Sequence, residues 1–250
     1  MRCLSIDLDY IMYPDIQFYN SLLYDSNPVT RWKKMEDNGY KRMVSKYDID
    51  QSNLMFIYNT FLKSIMKCQS CSFGYEHDSI LFELEKHTDI ELFHIDHHND
   101  YLNGKYKQDD AVNFDKEYFF MTSEGDLDEG NWGAWLEQQG KLKSMHWVGP
   151  PEINQGYWNH LITFARTHSE FTAGCKEDLG EDVIDYNFDH IYMCLSPQYV
   201  PQQHWHYFSM FISAYEELTG NKAVIHIDKY GNGARLQRPH EQIVKQISIR

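Results

Sequence analysis

The chain has 250 residues, 42% of them hydrophobic and 15% aromatic, which is enough to bury a full core and excludes a disordered protein. A formal net charge of −14 argues against nucleic acid as a partner, because binding to phosphates depends on lysine and arginine. The sequence contains neither a signal-peptide pattern nor an apolar run of about eighteen residues, which predicts a cytoplasmic protein that does not bind membranes.

Apolar strand-like runs alternate with helix-like runs along the chain. In chain order the sequence predicts strand 3–9, helix 51–67, strand 71–75, helix 79–86, strand 90–96, helix 132–139, strand 145–148, helix 155–167, strand 190–195, helix 201–218 and strand 223–227. Gly220 suits the left-handed residue that ends a helix. This alternation predicts one α/β domain over residues 1–250, a three-layer sandwich with a mostly parallel central sheet.

Acidic and histidine side chains stand at the ends of three of these predicted strands. They are Asp7 and Asp9 after the first strand, His77 after the second, and Asp96, His98 and Asp100 after the third. Side chains two residues apart in a strand share a face, and α/β folds bind ligands at the carboxyl ends of their strands. We therefore expect these six side chains to converge on one site.

The chemistry of these six side chains favours metal ions. Burying four carboxylates is costly unless cations pair with them, and two divalent ions would balance their charge. Oxygen ligands dominate the set and it contains no thiolate, which favours manganese over a structural zinc ion. The predicted cofactor is therefore a pair of Mn²⁺ ions.

The same residues resemble the metal-binding motifs of the arginase and deacetylase superfamily. Residues 96–100, Asp-His-His-Asn-Asp, are similar to its Asp-x-His-x-Asp signature, residues 76–79 to its Asp-His-Ser segment, and residues 5–9 to its Ser-x-Asp-x-Asp strand. The resemblance implies that all six predicted ligands hold a dimanganese centre, with Asp7 and Asp96 bridging the ions. A tryptophan-rich stretch over residues 131–150 is similar to a divergent branch that contains peptide arginases.

The order of the motifs differs from that of arginases, in which the Asp-x-Asp strand follows the Asp-x-His-x-Asp strand. Here the Asp-x-Asp strand is the first in the chain, and residues 191–197, the expected later position, contain no acid. Either the strand order is permuted or the second metal position is incomplete. We favour permutation, because the acids are present and a parallel sheet can accept the first strand at that place.

The resemblance implies hydrolysis of arginine side chains in a ribosomal precursor peptide to ornithine, with release of urea. Position alone adds Glu76 and His206 as catalytic candidates, and Glu129, Asn131 and His204 as candidates for substrate binding. Two alternatives are a metal-dependent amidohydrolase or deacetylase acting on another guanidino or acylated amine compound, and a non-catalytic metal-binding or peptide-binding module. The sequence leaves a homo-oligomer open.

Overall fold

The computed structural model describes residues 1–12, 49–100, 130–149, 170–179, 184–197 and 199–226. These residues form strands β1 (Arg2–Asp7), β2 (Ser70–Gly74), β3 (Ile90–Ile95), β4 (Leu142–Gly149), β5 (Glu170–Cys175), β6 (His190–Cys194) and β7 (Val224–His226). Every neighbouring pair is parallel, in the spatial order β5-β4-β3-β1-β6-β2-β7. The predicted α/β fold around a parallel sheet is confirmed.

The first strand of the chain lies at the centre of this sheet. β1 pairs with β3 on one side, where Ser5 is opposite His94, and with β6 on the other, where Asp7 is opposite Cys194. The strand that carries Asp7 is thus the direct neighbour of the strand that leads into Asp96. The spatial order departs strongly from the chain order, as expected if the first strand occupies the place of a later one.

Helices cover both faces of the sheet, as the prediction of a three-layer sandwich requires. They are α1 (Gln51–Ile65), α2 (Leu81–Leu84), α3 (Trp132–Gln138) and α4 (Trp205–Thr219). α1 begins after Asp50, whose side chain accepts hydrogen bonds from two backbone amides of its first turn. α4 ends at Gly220, which has the left-handed conformation predicted for it, with a φ of 73°.

The alternation of β1 decides which face carries the polar groups. Leu4 and Ile6 pack in one apolar core together with residues of α1 and α4. Cys3 packs in a second core together with residues of α2 and α3, among them Trp132. Because side chains alternate along a strand, Ser5 and Asp7 share the face of Cys3. The polar end of β1 is therefore on the side of the sheet covered by α3.

Several element boundaries differ from the predicted ones. β1 ends at Asp7, and a 3-10 turn (Leu8–Ile11) follows, so Asp9 is not in the strand as predicted. The predicted helix 79–86 is a 3-10 turn (His77–Ile80) continued by α2, and α4 begins at Trp205 after another 3-10 turn. β5 was not predicted, and the predicted helix 155–167 lies outside the described residues. Within the described part of the chain, no helix is long and apolar enough to cross a membrane.

Replacing Gly74 by alanine is expected to destabilise the protein by about 1–3 kcal/mol, the usual cost of overpacking a core. The added methyl group would overlap the hydroxyl of Tyr192, which donates a hydrogen bond to the carbonyl oxygen of Glu76 at 2.6 Å. Urea unfolding measures the change. Gly174→Ala is the control, because its methyl group would approach only the Asp178 side chain, at 3.6 Å. Equal stability of the two variants would contradict the close contact at Gly74.

Candidate metal centre

The carboxyl ends of the central strands meet at one buried polar cluster. Asp7 ends β1, His77 opens the turn after β2, Asp96 directly follows β3, and Cys194 ends β6. Each of these four residues is buried. Because the strands are parallel and adjacent, their carboxyl ends bring residues far apart in the sequence into contact.

The ring of His77 lies at the middle of the cluster. Its Nδ1 atom is 3.0 Å from Asp7 Oδ2, 2.9 Å from Asp96 Oδ2 and 3.0 Å from Asp100 Oδ2. Its Nε2 atom is 2.6 Å from Ser5 Oγ, which fixes the orientation of the ring. An imidazole nitrogen carries at most one hydrogen, so it cannot satisfy three carboxylates at once. A cation among these oxygens would stabilise all of them.

A second group of potential ligands lies beside the first and shares Asp96 with it. His98 Nδ1 is 3.1 Å from Asp9 Oδ2 and 3.5 Å from Asp96 Oδ1. The backbone amide of His98 also donates a hydrogen bond to Asp96 Oδ1, at 2.7 Å. The side chain of His98 is 37% exposed, whereas Asp9 and Asp96 are fully buried. This second group therefore borders solvent.

All six predicted ligands thus lie in one cluster, and the structure adds two residues that the sequence analysis missed. His94 and Cys194 each belong to a group of potential ligands, His94 with His77, Asp96 and Asp100, and Cys194 with Asp7 and His77. The spacing of His94 and Asp96 in β3 was the signal available for His94, because residues two apart share a face. No motif in the sequence singles out Cys194.

Hydrogen bonds from outside the cluster hold its carboxylates in place. Asp7 Oδ1 accepts from the backbone amide of Asp9 at 3.0 Å, and Asp7 Oδ2 accepts from the hydroxyl of Ser196. Trp132 Nε1 donates to Asp100 Oδ2 at 2.7 Å. Such donors are what metal-binding carboxylates require in order to keep their orientation.

Asp100 in the cluster and Ser196 beside it have an unusual backbone conformation. Asp100 has a φ of 50° and Ser196 a φ of 46°, in the left-handed region that non-glycine residues seldom adopt. Asp100 is held there by its carbonyl, which accepts a hydrogen bond from the Gly133 amide at 3.0 Å, and by its bond from Trp132. Backbone strain of this kind concentrates at functional sites, where the surrounding structure enforces it.

Burial and mutual repulsion perturb the ionisation of the cluster. Burial raises the pKa of Asp96 well above its usual range, and the charges of Asp100, Asp9 and Asp7 raise it further. Burial opposes the charged form of His77 as well, yet the pKa of His77 lies well above its usual value because Asp100, Asp7 and Asp96 surround it. Burial and the charge of His77 lower the pKa of His94 to about 3, which keeps its ring neutral and suited to bind a metal ion.

The composition of the cluster fits divalent metal ions. It contains four carboxylates and three imidazoles, nearly all buried. Asp9 Oδ1 and both ring nitrogens of His94 are buried and make no well-aligned hydrogen bond among the described residues. Such groups are costly to bury unless something binds them. The buried cluster could therefore hold metal ions.

The other predicted site residues do not belong to these groups. Glu76 is buried directly before His77, and Asn131 precedes α3 and is half-buried. His204 is half-buried beside α4, and His206 is exposed, with its Nδ1 atom 2.8 Å from the carbonyl oxygen of Gln203. Glu129 lies outside the described residues. The roles assigned to these five residues stay predictions.

Comparisons with protein-family models, with curated proteins and with solved structures found no match to this chain.

Proposed function

We propose that the cluster binds two Mn²⁺ ions and that the protein is a metal-dependent C–N hydrolase. Its proposed substrate is an arginine side chain in a precursor peptide, which it would convert to ornithine with release of urea. The assignment to a divergent branch of the arginase and deacetylase superfamily is part of this proposal. It draws on the motifs around Asp7, His77 and Asp96 and on the contacts among them.

The observation that carries the proposal is the position of Asp96 between the two groups of ligands. Its Oδ2 atom faces His77 at 2.9 Å, and its Oδ1 atom faces His98 at 3.5 Å. A carboxylate with one oxygen toward each of two ligand groups is suited to bridge two cations. His77, His94 and Asp100 would complete one metal position, and Asp9 and His98 the other. Asp7 groups with His77 and Cys194, and the bridging role that the resemblance implies for it stays a prediction.

The contact between the first and third strands supports the permuted arrangement. His77 Nδ1 touches both Asp7, at the end of β1, and Asp96, after β3. β1 and β3 are neighbours in the sheet, although α1, β2 and α2 lie between them in the chain. The six residues that the resemblance selects are thus close enough to share two ions.

The donor atoms favour manganese. Four carboxylates supply hard oxygen ligands, and Mn²⁺ accepts oxygen together with imidazole nitrogen. Cys194 is the only thiol in the groups of potential ligands among the described residues. A thiolate-rich zinc site is therefore disfavoured here.

The charge of the protein supports the proposed substrate class. Arginine keeps its positive charge at every working pH, and two divalent ions would supply a water activated for attack at neutral pH. The chain retains a formal charge of −14 + 4 = −10 with both ions counted, which favours a cationic side chain near the site. The half-exposed His98 marks the side from which such a chain could approach the ions.

Incubation with Mn²⁺ and arginine-containing peptides tests the proposal. Mass spectrometry should show a loss of about 42 Da per modified arginine, the difference between a guanidinium and an amine after this hydrolysis. Urea should form in equal amount, and a peptide substrate should have a much higher kcat/KM than free arginine.

The other outcomes separate the alternatives. Deacylation without urea would replace the arginine assignment by an amidohydrolase. Preferential use of free arginine would remove the peptide preference alone. A Mn²⁺-loaded protein without turnover on guanidino or acylated amine substrates would leave only a binding module.

Replacing Trp132 by phenylalanine is expected to weaken metal binding by about 10-fold to 100-fold, the usual effect of losing a partner that orients a ligand. Phenylalanine keeps an aromatic ring beside His77 but removes the indole N–H that donates to Asp100. Equilibrium dialysis with Mn²⁺ measures the affinity. Trp135→Phe in the same helix is the control, and an equal loss in both variants would contradict the role of the Trp132 hydrogen bond.

A further inference from the structure

His94 is a buried histidine that the six-residue metal pattern does not include. It lies in β3, opposite Ser5 of β1, and is 0% exposed. Its two ring nitrogens make no well-aligned hydrogen bond among the described residues. A buried imidazole that makes no well-aligned hydrogen bond is costly, and a metal ion beside it would remove that cost.

The ring of His94 is aimed at the carboxylates of the cluster. Its Nε2 atom is 3.4 Å from Asp96 Oδ2 and 3.7 Å from Asp100 Oδ2, the same two oxygens that flank His77 Nδ1. The Trp132 ring meets the His94 ring edge to face, with centroids 5.4 Å apart. This packing holds the imidazole toward the oxygens.

The two groups of ligands are therefore unequal. His77, His94, Asp96 and Asp100 offer four ligand atoms within 4.8 Å of one another, and all four residues are buried. Asp9, Asp96 and His98 offer three, and His98 is 37% exposed. The four-residue group is closed by burial, because none of its side chains reaches solvent, whereas the three-residue group has fewer protein ligands and an exposed edge at His98 that leaves positions for water or substrate.

We propose that His94 makes the inner metal position a closed, four-ligand site that retains its ion, while the outer position at Asp9 and His98 exchanges its ion with solvent. This inference rests on the proposed two-metal centre and assigns a separate role to each ion. The inner ion would link the end of β2, through His77, to β3, through His94 and Asp96. The outer ion is the one that a substrate reaches.

Release of manganese from the loaded protein tests this assignment. The full chain is loaded with Mn²⁺ and dialysed against citrate, and manganese per chain is followed by plasma mass spectrometry. The wild type should lose its ions in two phases, the second at least about tenfold slower than the first. His94→Phe, which keeps the ring volume beside Trp132, should lack the slow phase. Asp9→Asn should lack the fast phase and keep the slow one.

His146→Phe is the matched control, because it exchanges the same two rings in the neighbouring strand β4, where His146 stacks on Phe93 at 5.0 Å. It should keep both phases. A slow phase at the wild-type rate in His94→Phe would overturn the inference. Fast loss of the remaining ion from Asp9→Asn would also overturn it. The Asp9→Asn variant decides the matter if His94→Phe does not fold. Two ions lost at one rate from the wild type would remove the closed position but leave the two-metal centre. A wild type that binds no manganese would remove both.

Discussion

Replacing Asp96 by asparagine is expected to reduce manganese binding at both positions and to lower activity by at least about 100-fold. Replacing a residue that only orients a metal ligand already lowers metal affinity or activity by about 10-fold to 100-fold. Asp96 is itself a potential ligand, and it is shared by the two ligand groups. An amide is a weak neutral ligand and cannot bridge two cations as a carboxylate does. Metal content after gel filtration and turnover of an arginine-containing peptide measure the two effects.

The same variant should remain folded, which separates loss of binding from loss of structure. The Asp96 carboxylate is buried close to Asp7, Asp9 and Asp100, and without cations their mutual repulsion destabilises the fold. An amide relieves that repulsion at nearly constant volume. Glu217→Gln, the same chemical change at an exposed position of α4, is the control and should leave metal content unchanged. Full manganese binding by Asp96→Asn would contradict the bridging role.

Removal of the ions by EDTA is expected to lower the melting temperature of the wild type by about 5–10 °C. A ligand present at a hundred times its dissociation constant stabilises the folded state by about 2.7 kcal/mol, and in a chain of this size each kcal/mol shifts the melting temperature by about 2–4 °C. Differential scanning calorimetry with Mn²⁺, and then with EDTA, measures the shift. Activity should disappear with EDTA and return with added Mn²⁺ more fully than with Zn²⁺.

Asp96→Asn provides the control for this measurement, since a protein with weakened manganese binding should show a smaller change of melting temperature on addition of EDTA than the wild type. Restoration of activity by Zn²⁺ alone would move the assignment toward the deacetylases. An unchanged melting temperature of the wild type would show that the carboxylates are not held together by cations.

The contacts around Asp96 show where strand alternation stops being informative. Alternation predicts that Asp96, His98 and Asp100 lie on one side of a strand, yet β3 ends at Ile95. The three residues come together instead in the turn that follows β3, where the backbone of Asp100 has a left-handed conformation. That conformation depends on α3, whose Trp132 and Gly133 donate hydrogen bonds to Asp100 from 32 and 33 residues further along the chain. Local periodicity contains no information about such a contact.

The central position of β1 could be inferred only from the chemistry of its end. Periodicity identifies a strand over residues 3–9 but does not assign its neighbours. The requirement that Asp7 meet Asp96 favoured the permuted order, and β1 does lie beside β3. Strand β5 could not be predicted from the sequence. Glu170–Cys175 contains small and polar residues with little alternation, and it forms an edge of the sheet.

His94 shows how a visible signal can be overlooked. Its spacing from Asp96 is the same as that between Asp96 and His98, but it falls inside the apolar part of the strand, where a histidine is more often a packed core residue. Only the fold reveals that its Nε2 atom faces the carboxylates of Asp96 and Asp100. Cys194 likewise lies beside the cluster only because of the fold, in which β6 pairs with β1 and Cys194 is opposite Asp7.

Anomalous X-ray diffraction from crystals grown with Mn²⁺ can show whether the strand ends of β1, β2 and β3 hold two metal ions. Data collected at the manganese absorption edge should show two peaks in the cluster, one among His77, His94, Asp96 and Asp100, and one among Asp9, Asp96 and His98. Asp96 should lie between them. A single peak in the cluster, or none, would contradict the two-metal centre.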